Sequence, residues 1–248
     1  MSTFKRRVAQ EFNDIKILLR NIPSITVTVF ILSVVCANLM ANKELLNVGY
    51  VALDCGFAFS WIMFLCMDVI CKRYGPKASI EVSIIALLAN LTVCGLFFLL
   101  SLTPGKWGEF YSFELNEVNS ALNNTFGGAW YVVLGSGLAF LTSSVVNAIL
   151  NYSLGKNLKK NNFIAFAFRS YTSTIIAQFV DNFIFATVVS KIFFGWTWTQ
   201  VVVCSIIGAV CELLGEILFS GFGWKVVKNW DEENVGNEYF NYIEKKRA

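Results

Sequence analysis

Six apolar runs, about residues 24–41, 51–71, 78–101, 129–151, 164–189 and 200–222, dominate the chain and limit what it can fold into. Each holds roughly the 17–25 residues that an α-helix needs to cross about 30 Å of hydrocarbon. A helix satisfies its own backbone hydrogen bonds, so it is the natural spanning element where no water is available. The balance of residues agrees: 56% are hydrophobic and 15% charged, against about 45–50% and 25% in soluble domains. The expectation is an all-α polytopic membrane protein with six transmembrane helices in a compact bundle. Residues 1–23 form an amphipathic cytoplasmic segment, 24–222 the membrane domain and 223–248 a polar, partly helical cytoplasmic tail. Pro23, Pro76 and Pro104 fall at span edges, where proline punctuates rather than breaks.

Lysine and arginine set the orientation. With the N-terminus inside, the inner segments carry Lys5, Arg6, Arg7, Lys16, Arg20, Lys72, Arg73, Lys77, Lys156, Lys159, Lys160, Lys225, Lys228, Lys245, Lys246 and Arg247. The outer loops carry only Lys43, Lys106 and Lys191. Basic loops stay in the cytoplasm, so both termini are expected there. In the first segment Val8, Phe12, Ile15, Leu19 and Ile22 recur at helical spacing opposite Gln10, Asn13 and Lys16, the pattern of a helix lying on the membrane surface. A cleaved signal peptide is not expected, because the apolar run comes late and leads into Asn42-Lys43.

Several chemistries are excluded. The chain has no histidine, which removes serine–histidine catalysis, HExxH zinc sites and rhomboid-type proteolysis. The seven cysteines (Cys36, Cys55, Cys66, Cys71, Cys94, Cys204, Cys211) form no CxxC, so neither a metal site nor a disulfide framework is indicated. The net charge of +3 is scattered over loops and ends, which argues against nucleic acid as a partner. There is no Walker loop, and no cofactor is implied. The outer loop 102–128, with Glu109, Glu114 and Glu117, is long enough for a short helix or lid but specifies no chemistry.

The polar residues inside the spans carry the functional information. The stretch Phe163–Phe185 is span-like yet holds Arg169, Gln178, Asp181 and Asn182. A central Arg or Asp costs about 2.5–3.5 kcal/mol on the insertion scale, so these side chains must face a polar interior. Arg169 and Glu216 lie at similar depth in neighbouring spans and read as a buried structural ion pair, with Asp68 a second partner for Arg169 or for Lys72. Nearer the outer half, Thr174, Gln178, Asp181 and Phe185 share one helical stripe. Asn38, Asn90, Ser143, Ser144 and Glu212 can face that stripe. Two readings follow: a ligand cavity, or a purely structural polar network. As a cavity, carboxylates and carboxamides beside Phe185, Phe59 and Trp61 suit a flat ligand with N–H donors and ring nitrogens. Spacing alone does not choose a purine over another polar metabolite.

Several of these residues also carry a family pattern. Ala37-Asn38-Leu39-Met40-Ala41-Asn42-Lys43 closes span one, Asp68-Val69-Ile70 with Tyr74-Gly75 closes span two, and Arg169, Ser173, Thr174, Gln178, Asp181 and Phe185 mark span five. In these the chain resembles the queuosine-precursor transporter (VUT) family of bacterial inner-membrane proteins, well over spans one to five and more weakly in span six. The resemblance implies six helices packed like the substrate-binding S components of energy-coupling-factor transporters. It also implies import of a 7-deazaguanine (the cyano or aminomethyl precursor, or queuine) for tRNA modification. Three departures stand out. Lys72 replaces the family's acid four residues after Asp68, Phe59-Ser60 replaces Phe-Pro, and Glu212 and Glu216 lie outside the pattern. An extra carboxylate such as Glu212 favours a cationic aminomethyl group.

The substrate residues expected are therefore Asp181, Gln178, Thr174, Asn38, Asn90, Glu212, Phe185 and Arg169. The partners expected are the deazaguanine and the lipid bilayer. A second copy of the chain or an energising complex stays open, the latter because Ser33, Ala37 and Ala41 would admit a docking helix. The competing readings are an S-type subunit for a vitamin-like or purine-like ligand, and an intramembrane enzyme using Asp181 and Glu212 as an acid pair.

Overall fold

A computed structural model describes residues 3–41, 43–107, 116–127, 130–158 and 161–247. Helix α1 (Thr3–Asn21) meets α2 (Ser24–Met40) at Pro23 with a bend of 107°. Proline fixes its own φ and disfavours helical geometry in the residue before it, which places the corner there. Then come a hairpin of β1 (Glu44–Val48) and β2 (Val51–Asp54), α3 (Phe57–Tyr74), α4 (Pro76–Ser101) and α5 (Asn116–Phe126). The chain continues through α6 (Trp130–Asn157), α7 (Phe163–Phe185), a π-helical turn Ala186–Lys191, α8 (Ile192–Phe194), α9 (Trp198–Glu232) and α10 (Asn237–Arg247).

Four of these helical stretches are long and apolar enough to cross a membrane: Pro76–Ser101, the stretch ending at Lys156, Phe163–Phe194 and Trp198–Glu232; the bent pair α1–α2 adds a fifth if it is one span. Their outward faces show the apolar side chains a lipid contact requires, among them Leu88, Leu99, Leu138, Ile164, Phe168, Leu214 and Leu218. The multi-pass membrane architecture is thus present. The six-span count is not reproduced by length and apolarity alone, because α2 has 17 residues and the 18 residues of α3 include Asp68, Lys72 and Arg73.

The span expected over 51–71 begins later than its hydropathy suggests. Val51–Asp54 pairs antiparallel with Glu44–Val48 instead, in the register Leu46↔Leu53, Asn47↔Ala52 and Val48↔Val51. The two-residue turn works because Gly49 takes φ +62, the position where a type II′ turn needs glycine. Asp54 then accepts the Gly56 N–H at 2.7 Å and starts α3. Cys204 of α9 ties the hairpin down, donating to the Tyr50 carbonyl at 3.1 Å and accepting from the Ala52 N–H at 3.3 Å.

Around α7 the helices run alternately. α7 packs most heavily on α6 and α9, antiparallel to both, as the pairs Asn151–Ser173 and Ser143–Asp181 on one side and Ser170–Glu216 and Asn182–Glu212 on the other require. α3 lies parallel to α9, with Trp61 stacked on Phe219 at 4.4 Å and Arg73 paired to Asp231 at 2.6 Å. The hairpin caps one end of the bundle. At the other end α1 and α10 meet: Asp14, only 2% exposed, accepts from Tyr242 at 2.7 Å and pairs with Lys246. Ser33 and Ala37 are buried within the bundle. Of the long outer loop, 116–126 is helical, while Glu109 and Glu114 lie outside the described residues; so do Asn42, Lys159 and Lys160.

Candidate ligand-binding site

A cavity of about 850 Å³ opens at the hairpin end. That is within the roughly 300–1,000 Å³ typical of small-molecule sites. Its walls come from the hairpin, the start of α3, the end of α7 with its π-helical turn, and the start of α9. The π-helical turn matters because an i→i+5 insertion re-aims the side chains after it, a device often found at functional sites. α9 is held at this end by a full capping box between Thr197 and Gln200.

Three carboxylates line the cavity, Glu44, Asp54 and Glu212, and no lysine or arginine does among the described residues. Asp181 stands close enough to Asp54 and Glu212 to repel both. Burial pushes the Asp54 carboxyl up to about 6, against the pull of the Gly56 and Phe57 N–H groups. Aromatic rings complete the walls: Tyr50, Phe57, Tyr131, Phe185, Phe194 and Trp196. Such a space attracts a cation or a cluster of N–H donors and presents rings for a flat ligand to stack on.

Glu212 is the cavity-lining acid carried by α9, one turn short of Glu216. The Asn182 amide donates to its Oε2 at 3.1 Å, while the Ser60 hydroxyl of α3, which donates to the Phe57 carbonyl at 3.1 Å, lies nearby. Gly208 makes this possible, since a Cβ there would lie 2.8 Å from Asn182 Nδ2. Asn182, read at first only as a polar residue of the span, belongs to the wall; its i, i+3 relation to Phe185 was the available signal.

The other predicted residues divide between regions. Glu212 and Phe185 line the cavity. Asp181 sits beside it, half-buried, accepting from Ser143 at 2.7 Å. Gln178, one turn deeper on α7, is completely buried, and neither of its amide atoms has a hydrogen-bond partner. Asn38 donates to its own helix at Val34, and Asn90 is buried in α4 with its Oδ1 3.9 Å from Cys94; neither reaches the cavity. Phe59 and Trp61 also pack elsewhere, Phe59 against the core and Trp61 on Phe219.

Thr174 and Arg169 belong to a second, buried polar cluster toward the terminal end. There Asp68 accepts from Asn147 at 2.7 Å, from Ser170, and from Thr174 at 3.4 Å, while Ser170 also reaches Glu216. The expected Arg169–Glu216 and Arg169–Asp68 ion pairs are not formed. The guanidinium is turned instead onto Asn151, whose Oδ1 takes both Nε, at 2.8 Å, and Nη2. Gly155 leaves it room, since a Cβ there would meet Nη1 at 2.5 Å. Lys72 pairs with no carboxylate among the described residues, and the inner ion pair is made one residue on, by Arg73. No group of three or more metal-binding side chains gathers among the described residues.

Residues 54–229 match the family model described as "Putative vitamin uptake transporter". No curated protein and no solved structure matches the chain.

Proposed function

The chain belongs to the vitamin uptake transporter family, and from that premise we propose that it imports a flat, nitrogen-rich base carrying a positive charge. Within the queuosine-precursor reading of the sequence, the aminomethyl 7-deazaguanine fits best. The observation that carries this choice is the cavity wall: three carboxylates, no lysine or arginine, and several aromatic rings. A protonated aminomethyl group pairs with Glu212, which the Asn182 amide holds in place. The ring stacks on an aromatic wall residue such as Phe185, and its N–H edge faces Asp181. Gln178 lies about 6 Å deeper than Asn182 at 1.5 Å per residue. Its unpartnered amide gives a base that enters further both a donor and an acceptor to read.

We also propose six crossings in a bacterial inner membrane, packed as in S components, with both termini cytoplasmic. α1 and α10 meet at one end of the bundle, which requires an even number of crossings. α3 supplies the remaining span: 18 residues reach about 27 Å, and its charges sit in the buried cluster or at the terminal end. The basic residues named above support a cytoplasmic position for that end.

The test is tRNA queuosine content in cells that cannot make the precursor and depend on this protein to import it. At limiting external aminomethyl precursor, wild type should restore queuosine and Glu212→Gln should restore much less. Equal restoration by both would contradict the assignment of Glu212. No restoration by wild type with any 7-deazaguanine would contradict the substrate class.

A further inference from the structure

We propose that Asp68 and Glu216 share one proton at neutral pH, so that the buried cluster between α3, α6, α7 and α9 is a proton-binding site. It is separate from the cavity, since none of its residues lines that space.

The case rests on a count of hydrogens. Asp68 and Glu216 are both fully buried. The Ser170 hydroxyl lies against Asp68 Oδ2 and against Glu216 Oε1, but it has one hydrogen and can donate to only one of them. The two carboxyl groups also lie close enough to repel each other when both are charged. Two acceptors in the cluster have no donor at all: Glu216 Oε2, and the Oδ1 of Asn147, a fully buried residue whose Nδ2 is fixed on Asp68 at 2.7 Å. Acceptors therefore outnumber hydrogens. A carboxylic O–H supplies the missing donor, and the pair then behaves as two acids sharing one proton rather than as two separate ones.

No neighbouring charge removes the need. From α7 the pair faces Arg169, which is committed to Asn151. From α3 it faces Cys71, whose thiol donates to Ala148 at 3.5 Å. α6 presents only the neutral amides Asn147 and Asn151. On α9 the next acid is Glu212, one turn up in the cavity wall, and Lys72 of α3 faces Arg169 rather than the pair. A sodium ion would also satisfy surplus acceptors, but it needs a cage of about six oxygens with space between them. These oxygens are packed against one another instead.

The test is infrared difference spectroscopy on the purified full chain in sodium-free detergent buffer. A protonated-carboxyl C=O band sensitive to deuteration should be present at neutral pH. It should vanish or move in Glu216→Gln and in Asp68→Asn, and persist in Glu212→Gln and Asp181→Asn. Both cluster variants keep size and hydrogen bonding, so if one fails to fold the other still decides. Thermal stability of wild type should fall as pH is raised through loss of this proton, and that of Glu216→Gln should stay flat. Absence of the band at neutral pH, a band unchanged in both cluster variants, or a band removed by sodium at constant pH would each overturn the proposal. Neither readout depends on transport, so failure here is distinguishable from failure of the transporter assignment.

Discussion

Glu212 and Glu216 stand one turn apart on α9, yet they face different kinds of interior. Glu212 lines an open cavity with aromatic walls, where the Asn182 amide donates to it. Glu216 is sealed among Asp68, Ser170 and Asn147, where every polar atom must be satisfied by the protein itself. One turn of helix therefore separates an acid that lines an open cavity from an acid sealed inside the bundle. The lesson is that depth in the membrane does not assign a role to a buried charge. What decides is whether the space beside it is open.

Substitutions should separate the two regions, and the largest effect is expected in the buried cluster. Asp68→Ala strands Asn147, Ser170 and Thr174 at once. By analogy with breaking a buried polar pair it should cost about 3–5 kcal/mol, read as folded yield and thermal midpoint. A midpoint within a degree or two of wild type would show that the cluster is not a strut.

Glycine substitutions give a matched pair. Gly155→Ala drives a Cβ into Arg169 and Gly208→Ala drives one into Asn182. Overpacking costs about 1–3 kcal/mol, offset by the roughly 1 kcal/mol that alanine gains over glycine in a helix. Gly155→Ala should therefore lower the melting point with binding retained. Gly208→Ala should weaken ligand binding about tenfold, or roughly 1.4 kcal/mol, with little change in stability. The reverse pattern would exchange the roles of the two regions.

The smallest effects concern acids outside the spans. Burial would raise the Asp14 carboxyl, but its hydrogen bonds from Lys246 and Tyr242 prevail and hold it below the ordinary 3.8. Its folded value is depressed, so the α1–α10 contact is fully stabilised above about pH 4 and lost as pH falls through that lowered value. Proteolysis near α10 should speed up in acid, and Asp14→Asn should remove the pH dependence. Asp54 titrates at about 6. Affinity for a cationic ligand should decline modestly as pH drops through that value, and an increase would contradict the role of the acidic wall.

Much of the bundle was legible in the sequence, for reasons that differ by region. α7 is bounded as its apolar run suggests, because Asn162 caps its start and accepts from Ala165 at 2.9 Å. The hairpin was not legible, since Val51–Asp54 runs on in hydropathy into α3 and only Gly49 and Gly56 mark the break. The pairing of Arg169 was misjudged because position along a helix fixes depth but not direction around the axis. An asparagine on α6 at the right depth takes the guanidinium's Nε and Nη2 in place of a carboxylate. The burial of Asp14 has no signal in the sequence, because nothing local announces that α10 folds back to cover it. The convergence of Ser60, Asn182 and Glu212 spans three helices and was equally out of reach.

The central claim is that the acid-lined cavity takes up a cationic deazaguanine through Glu212. It is tested most directly by the thermal midpoint of the purified protein at neutral pH, with the aminomethyl 7-deazaguanine and with its uncharged cyano counterpart. At 100 times its dissociation constant a ligand stabilises the folded state by about 2.7 kcal/mol. The account predicts a clear upward shift with the aminomethyl base and a smaller one with the cyano base. In Glu212→Gln the aminomethyl shift should collapse toward the cyano value, because a hydrogen bond to a charged group is worth about 1.5–3 kcal/mol. Equal shifts with both bases, or an aminomethyl shift unchanged in Glu212→Gln, would contradict it.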